Sequence, residues 1–294
     1  MGEYKKRTGA LLATAAALAA GALASSAAHA DITTGLVLQW TMNQTSGTTV
    51  ANSAPGGSSA DSGTLQNSTS TAWVPGAPGG GYALQLNATG SQAATGYISA
   101  TGSSDLQLST YTLSCWMNLD FVPPSSDGAT NPGLFNSRFN GGHTDIQIEN
   151  GTSSTATYSP GVHADIGSSS GYITTGADAS YHFNPQTWYL ITYAVQTGSV
   201  DIYVDGAVVK TYAQSSTTAP LLESGGFNLG EGAGGGIGVY LPAKIANFTI
   251  YSRVLSATDV AQLYTSEVPE PANLDLLTAA GAGILLLGRR RRPA

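Results

Sequence analysis

The feature that most constrains this chain is a two-residue alternation of apolar and polar side chains, in short runs broken by Gly, Ser, Asn and Pro. Leu36, Leu38, Trp40 and Met42 alternate with Val37, Gln39 and Thr41. Tyr111, Leu113, Cys115 and Met117 alternate with Thr112, Ser114, Trp116 and Asn118. Tyr189, Ile191, Tyr193 and Val195 repeat the pattern, as do Val200, Ile202 and Val204. Side chains of an extended backbone point to opposite faces in turn, so this period predicts half-buried strands. Asp205-Gly206 between two such runs predicts a type I′ hairpin, because both turn positions need positive φ. Many short strands with no helices between them predict an all-β sandwich of two antiparallel sheets. One short helix is expected, Ala257 to Tyr264, opened by Ser256 with Asp259 three residues on, a capping-box spacing. The Gly/Ser-rich stretches 52–63, 75–81 and 165–171 are expected to be rim loops of one sandwich.

Charge is distributed by segment. Lys5, Lys6 and Arg7 open the chain, and Arg289, Arg290, Arg291 and Arg292 nearly close it. Between Asp31 and Glu267 there are 15 acidic residues and four basic ones, a net −11. Such a domain lacks the basic face that phosphates require, which excludes nucleic acid as a partner. The acidity also makes anionic polymers poor ligands and favours neutral ones. A single cysteine, Cys115, excludes an intramolecular disulfide framework and reads as a buried thiol.

The two ends carry targeting patterns. Residues 1–30 read as a secretory signal peptide: a charged start, an apolar run from Leu11 to Leu23, then Ala28-His29-Ala30, with cleavage expected before Asp31. The alternative, a membrane anchor, would need a longer apolar run. Residues 268–294 contain Val268-Pro269-Glu270-Pro271, a hydrophobic helix expected over Leu276 to Leu287, and the four arginines. In all three parts this resembles the PEP-CTERM sorting signal of Gram-negative bacteria. The resemblance implies an exosortase-type processing partner, a temporary membrane anchor through the tail helix, and release to the cell surface or extracellular matrix. Arginines stay on the cytoplasmic side, so the preceding domain is left outside. The alternative is a permanent tail anchor, although the small-residue-rich helix is a marginal span.

A second resemblance covers most of the domain, residues 31–267. The ordered pieces are Leu36 to Met42, Ser46 to Ser53, Gly63-Thr64-Leu65, Gly81 to Leu86, Tyr111 to Met117, Trp188, Val200 to Gly206, and Lys244 to Ser256. Their order is similar to that of the LamG-like jelly rolls of the concanavalin A-like lectin/glucanase superfamily. That resemblance implies two antiparallel sheets with a ligand-bearing concave face in some relatives. It also implies a calcium ion at a rim, for which Asp127, Asp145 and Asp165 are the candidates; no other cofactor is required. Ala246 and Asn87 stand where relatives commonly carry Asp, which weighs against calcium.

Candidate ligand contacts come from one strand and one tryptophan. Alternation puts His143, Asp145, Gln147 and Glu149 on one face, opposite Ile146 and Ile148, a polar row suited to sugar hydroxyls. The row is loosely similar to the acidic strand of retaining glucanases in this superfamily. However, its middle position is Gln, and positions i and i+4 of a strand lie ~13 Å apart, far beyond the ~5 Å a retaining carboxyl pair needs. A solvent-facing strand edge is the plainer reading of that row. Trp116 shares a face with Thr112, Ser114 and Asn118, and either stacks on a sugar ring or packs in a second core layer. The expected function is therefore an exported, non-catalytic binding protein for a neutral glycan or exopolysaccharide. The rivals are a glycoside hydrolase or lyase, which would need two facing carboxylates, and a matrix or adhesion protein without a small ligand.

Overall fold

The computed structural model describes residues 31–87, 95–121, 132–138, 144–149, 161–232 and 240–268. The sorting motif from Pro269 onward, the four arginines, Ala28, Ala30, Asp127 and His143 lie outside the described residues, and of Glu149 only the backbone is described. Among the described residues the strands form two antiparallel sheets. The first contains β1 (Leu36–Trp40), β4 (Thr71–Pro75), β5 (Tyr82–Leu86), β7 (Tyr111–Leu119), β13 (Trp188–Gln196), β14 (Ser199–Val204), β15 (Ala207–Ala213) and β17 (Ala243–Tyr251). They run in the order β15-β14-β13-β7-β17-β5-β4, with β1 also on β17. The second contains β2 (Thr49–Val50), β3 (Gly63–Gln66), β6 (Tyr97–Ala100), β8 (Gly133–Asn136), β9 (Asp145–Glu149), β10 (Gly161–Ser168), β11 (Gly171–Thr174), β12 (Ala179–Ser180) and β16 (Phe227–Leu229). Its order is β11-β10-β9-β8-β16-β6-β3-β2, with β12 on β10. Neighbouring strands are often far apart in sequence, as in a jelly roll.

The sheets meet at an aromatic centre. Trp40 stacks on Phe227 with ring centroids 5.3 Å apart, Phe227 on Phe135 at 5.2 Å, and Phe248 closes the group 5.5 Å from Trp40. The Trp40 indole N–H donates to the Asp61 carbonyl at 2.9 Å, so burial leaves no orphan donor. The same ring explains Gly63, where a Cβ would come 2.9 Å from the indole. A bulge in β17 between Ala246 and Thr249 turns Phe248 inward together with Ile245 and Ile250. Asn247, at the bulge, takes φ +42°.

The hairpin turn is as the sequence predicts, with Asp205 at φ +52° and Gly206 at φ +79° between β14 and β15. The helix, α1 (Ala257–Glu267), runs one turn beyond the expected end, and its capping box of Ser256 and Asp259 is complete. Two expectations need correction. Residues 165–171 are not a rim loop, because Asp165 to Ser168 complete β10 and Gly171 opens β11. Strand β7 is buried along its whole length rather than on one face. The reason is α1, whose Val260 and Leu263 pack with Leu190, Ala194, Ala246 and Tyr251 on the outer face of the first sheet, forming a second, smaller core. Cys115 lies in the main core, and burial pushes its thiol well above the ordinary range, so it is inert. Asn87 holds φ +55° and ties two segments together: its amide donates to the Gly96 and Leu241 carbonyls at 3.1 Å each and accepts from the Gly96 N–H at 2.8 Å.

Candidate functional site

With α1 on the first sheet, the outer face of the second sheet is where polar side chains gather. Strands β9 and β10 pair so that Gln147 faces His163 and Asp145 faces Asp165. Their neighbours Ile146, Ile148, Val162, Ala164 and Ile166 point into the core. Alternation then forces the four polar side chains to the outside, side by side. The row continues across the sheet. Asn136 of β8 is opposite Asp145, Asn228 of β16 opposite Asn136, Ser99 of β6 opposite Asn228, and Thr64 of β3 opposite Ser99.

A charge network occupies one end of this row. Arg138 follows β8, and its Nη1 lies 3.3 Å from Asp145 Oδ2 and 3.4 Å from Asp165 Oδ2. The guanidinium also sits over the Tyr172 ring, 5.1 Å from the centroid, a cation–π placement. The Gln147 side-chain amide donates to Asp145 Oδ2 at 2.5 Å. His163 has a carboxylate at each ring nitrogen, Asp178 at 2.6 Å from Nδ1 and Asp165 at 3.2 Å from Nε2. Asp145 is 0% exposed, and burial raises its pKa to about 6 although Gln147 and Arg138 pull it down. Two buried atoms remain without partners, the Asp145 Oδ1 acceptor and the Asn136 Nδ2 donor. Further along the row, Asn228 donates to Glu231 at 2.6 Å. Burial pushes that carboxyl up, and the Tyr97 and Tyr240 rings lie beside it with centroids 6.1 Å apart.

The structure therefore brings together Asp145 and Gln147, which the sequence singles out as ligand contacts. Asp165, singled out only for calcium, faces Asp145 across the strand pair. Where a calcium ion would need these two carboxylates, the Arg138 guanidinium already bridges them. Among the described residues no group of three or more His, Cys, Asp or Glu has the geometry to hold a metal. Arg138, Asn136, Asp178 and Tyr172 are members of the network that sequence reasoning missed. Trp116 is elsewhere: it is 2% exposed, stacks on Tyr264 at 5.5 Å in the second core, and its indole N–H bonds the Glu267 carboxylate.

The profile of the laminin G branch of the concanavalin A-like lectin/glucanases superfamily matches residues 90–261. The chain belongs to this superfamily. A search of curated protein sequences finds no match. Among solved structures, this laminin G-type domain is similar to the binding domain of Paraclostridial Mosquitocidal Protein 1, with a TM-score of 0.59 and 16% identity over 80% of this chain and 53% of that one. It is also similar to domain 4 of AbnA, a GH43 extracellular arabinanase from Geobacillus stearothermophilus solved in complex with arabinotriose. There the TM-score is 0.55 and the identity 16%, over 78% of this chain and 98% of that one. Trypanosoma rangeli sialidase follows with a TM-score of 0.51 and 14% identity, over 78% of this chain and 32% of the enzyme. The chain thus spans about half the mosquitocidal domain and a third of the sialidase, but nearly all of the arabinanase domain. At these identities the likeness is one of fold. Among the described residues no helix is long and apolar enough to cross a membrane; the expected tail helix, Leu276 to Leu287, lies outside them.

Proposed function

We propose that this laminin G-type domain is an exported, non-catalytic binding module for a neutral glycan, and that the outer face of its second sheet is the contact surface. The observation that carries the reading is the polar row itself. Side chains from β8, β9, β10 and β16 converge there, and Gln147 and Arg138 are half-buried beside the 42% exposed Tyr172 ring, over the enclosed Asn136 and Asp145. Hydroxyl-rich ligands supply both donors and acceptors, and an aromatic rim suits the C–H face of a sugar. The net −11 of the domain argues for a neutral rather than an anionic polymer. The complex of the arabinanase domain with arabinotriose supports the ligand class. The test is a titration with arabinotriose, cellotriose and maltotriose. Gln147→Ala and Tyr172→Ala should each weaken binding tenfold or more while leaving the fold intact. Unchanged affinity in both would overturn the assignment, and no binding to any neutral glycan would favour a purely structural matrix role.

The hydrolase reading has one observation in its favour. Asp145 and Asp165 share a single guanidinium nitrogen, so the two carboxylates stand within twice an ion-pair distance of each other. Both are nearly fully buried and already bridged by Arg138, which favours a scaffold over an acid and nucleophile pair. Release of reducing ends from the same oligosaccharides, abolished by Asp165→Asn, would move the assignment to an enzyme.

Export and sorting are part of the same proposal: cleavage before Asp31, then handling of Val268-Pro269-Glu270-Pro271 by an exosortase-type enzyme and release to the cell surface or matrix. Val268 packs on the second core, and its N–H closes α1 on the Tyr264 carbonyl at 3.2 Å. Glu270→Ala should leave the protein in the membrane fraction; undiminished release would remove the sorting assignment.

A further inference from the structure

The end of the polar row far from Arg138 holds a carboxylate beside two tyrosine rings. Strand β6 turns Ile98 and Ala100 into the core, so Tyr97 and Ser99 face out, and Ser99 lies opposite Asn228 of β16. The Asn228 side-chain amide donates to Glu231 Oε2 at 2.6 Å, which places that carboxylate on the outer face as well. Glu231 is bridged to Tyr240, whose phenol also donates to the carboxylate. The Tyr97 and Tyr240 rings stand 6.1 Å apart at 33° to each other. Tyr97, Glu231 and Tyr240 are all half-buried. The backbone under them is held on both sides. The Gly230 N–H bonds the Leu134 carbonyl at 3.0 Å, and the Leu241 N–H bonds the Gly230 carbonyl at 2.9 Å. Gly133 of β8 packs against Glu231 and Gly232 too closely to leave room for a Cβ.

The four basic residues between Asp31 and Glu267 are all placed elsewhere. Arg138 is held by Asp145 and Asp165, on the side of β8 away from β16. Lys244 pairs with Asp120 and Arg253 with Asp259, and Lys210 is exposed on β15 at the edge of the other sheet. Among the described residues, Glu231 is answered by two neutral donors, Asn228 and Tyr240. Burial holds its carboxyl above the ordinary range. Burial first, and the Glu231 charge second, hold the Tyr97 and Tyr240 phenols above theirs, so this charge bears on both rings. A neutral hydroxyl would bond the carboxylate and leave its charge unbalanced. An ammonium group balances it and is also attracted by the faces of neighbouring aromatic rings. We propose that this end of the row is a subsite for the protonated amine of an amino sugar, with the ammonium group on Glu231 beside the Tyr97 and Tyr240 rings. The subsite is continuous with the rest of the face, since Asn228 lies opposite Asn136 and Asn136 opposite Asp145, two strand spacings or about 10 Å. It rests on the glycan reading of that face and adds one charged unit to an otherwise neutral chain.

The experiment is a titration of the full chain with the glucosamine trimer, with its N-acetylated form and with tetramethylammonium, just below neutral pH, where the sugar amine is largely protonated. The amine trimer should bind roughly tenfold tighter than the acetylated one. The difference should collapse in Glu231→Gln, which keeps the shape and drops the charge. It should shrink in Tyr97→Ala and persist in Tyr97→Phe, which keeps the ring. Asp201→Asn, which removes one charge from the other sheet, should leave it intact, so the general acidity of the domain is not its source. Gln147→Ala should weaken both trimers alike and leave their ratio unchanged. Absence of binding by both trimers would overturn the subsite together with the glycan reading. Equal affinity for the two trimers, a preference that survives Glu231→Gln, or tetramethylammonium binding as tightly as the amine trimer would overturn the subsite alone.

Discussion

Replacing Arg138 with alanine should destabilise the protein by about 3–5 kcal/mol at pH 8 and much less at pH 5. The physical reason is the burial of Asp145. Its carboxylate is wholly enclosed, and its charge is balanced by one guanidinium, 3.3 Å away, and one neutral amide. Removing the guanidinium leaves an enclosed anion with only Gln147 to hold it. The sign with pH follows from the shift. Asp145 titrates near pH 6 in the folded chain and near 3.8 when unfolded. Its contribution to stability is therefore fully present below about pH 3.8 and is lost as pH rises through about 6. Arg138 is one of the groups pulling that pKa down, so its loss raises the pKa further and widens the deficit above neutrality. Denaturant unfolding at the two pH values gives the difference directly. The double variant Arg138→Ala with Asp145→Asn should recover most of the loss at pH 8, since the enclosed charge is then gone. A deficit equal at both pH values and unrelieved by Asp145→Asn would mean that Arg138 acts by packing on Tyr172 instead.

Much of this network was legible in the sequence, but not its assembly. Alternation in 145–149 correctly separates Asp145 and Gln147 from Ile146 and Ile148, whereas the rim-loop reading of 165–171 hid the end of β10, the strand that turns His163 and Asp165 away from Val162 and Ala164. What periodicity cannot supply is register. Only the pairing of β9 with β10 sets Asp145 against Asp165, and that depends on which strands are neighbours. Arg138 follows the end of β8 and belongs to no alternating run, so no local signal ties it to residues on two other strands. The fate of Trp116 shows the same limit. Its face, shared with Thr112 and Asn118, follows from the sequence, but whether that face meets solvent or a second core is decided by α1, which folds back from far along the chain. Capping chemistry is local, and Ser256 with Asp259 marks the start of α1 to the residue.

Glu267→Gln should remove about 3 kcal/mol of pH dependence from the stability of the protein between pH 5 and pH 9. Glu267 is the last residue of α1, where the helix dipole disfavours a negative charge. Its carboxylate is tucked against the second core and accepts from two neutral donors, the Trp116 indole and the Asn247 amide. Burial raises its pKa from 4.5 to about 7, with the two hydrogen bonds pulling only partly back. The proton is thus held more tightly in the folded state. The corresponding stability is fully present below about pH 4.5 and is lost as pH rises through about 7. Tyr251 reports the same charge: its pKa is raised to about 12 by burial first and by Glu267 second. A glutamine has no proton to lose, so the variant should show a flatter profile whatever its absolute stability. The amide can accept from only one of the two donors through its single oxygen, which lowers stability by a similar amount at every pH and leaves the slope as the diagnostic quantity. Melting curves from pH 5 to pH 9, with Trp116 fluorescence followed in parallel, test this. Parallel pH profiles for the two proteins would show that Glu267 is ionised in the fold throughout and that the end of α1 is held by something other than this enclosed carboxyl.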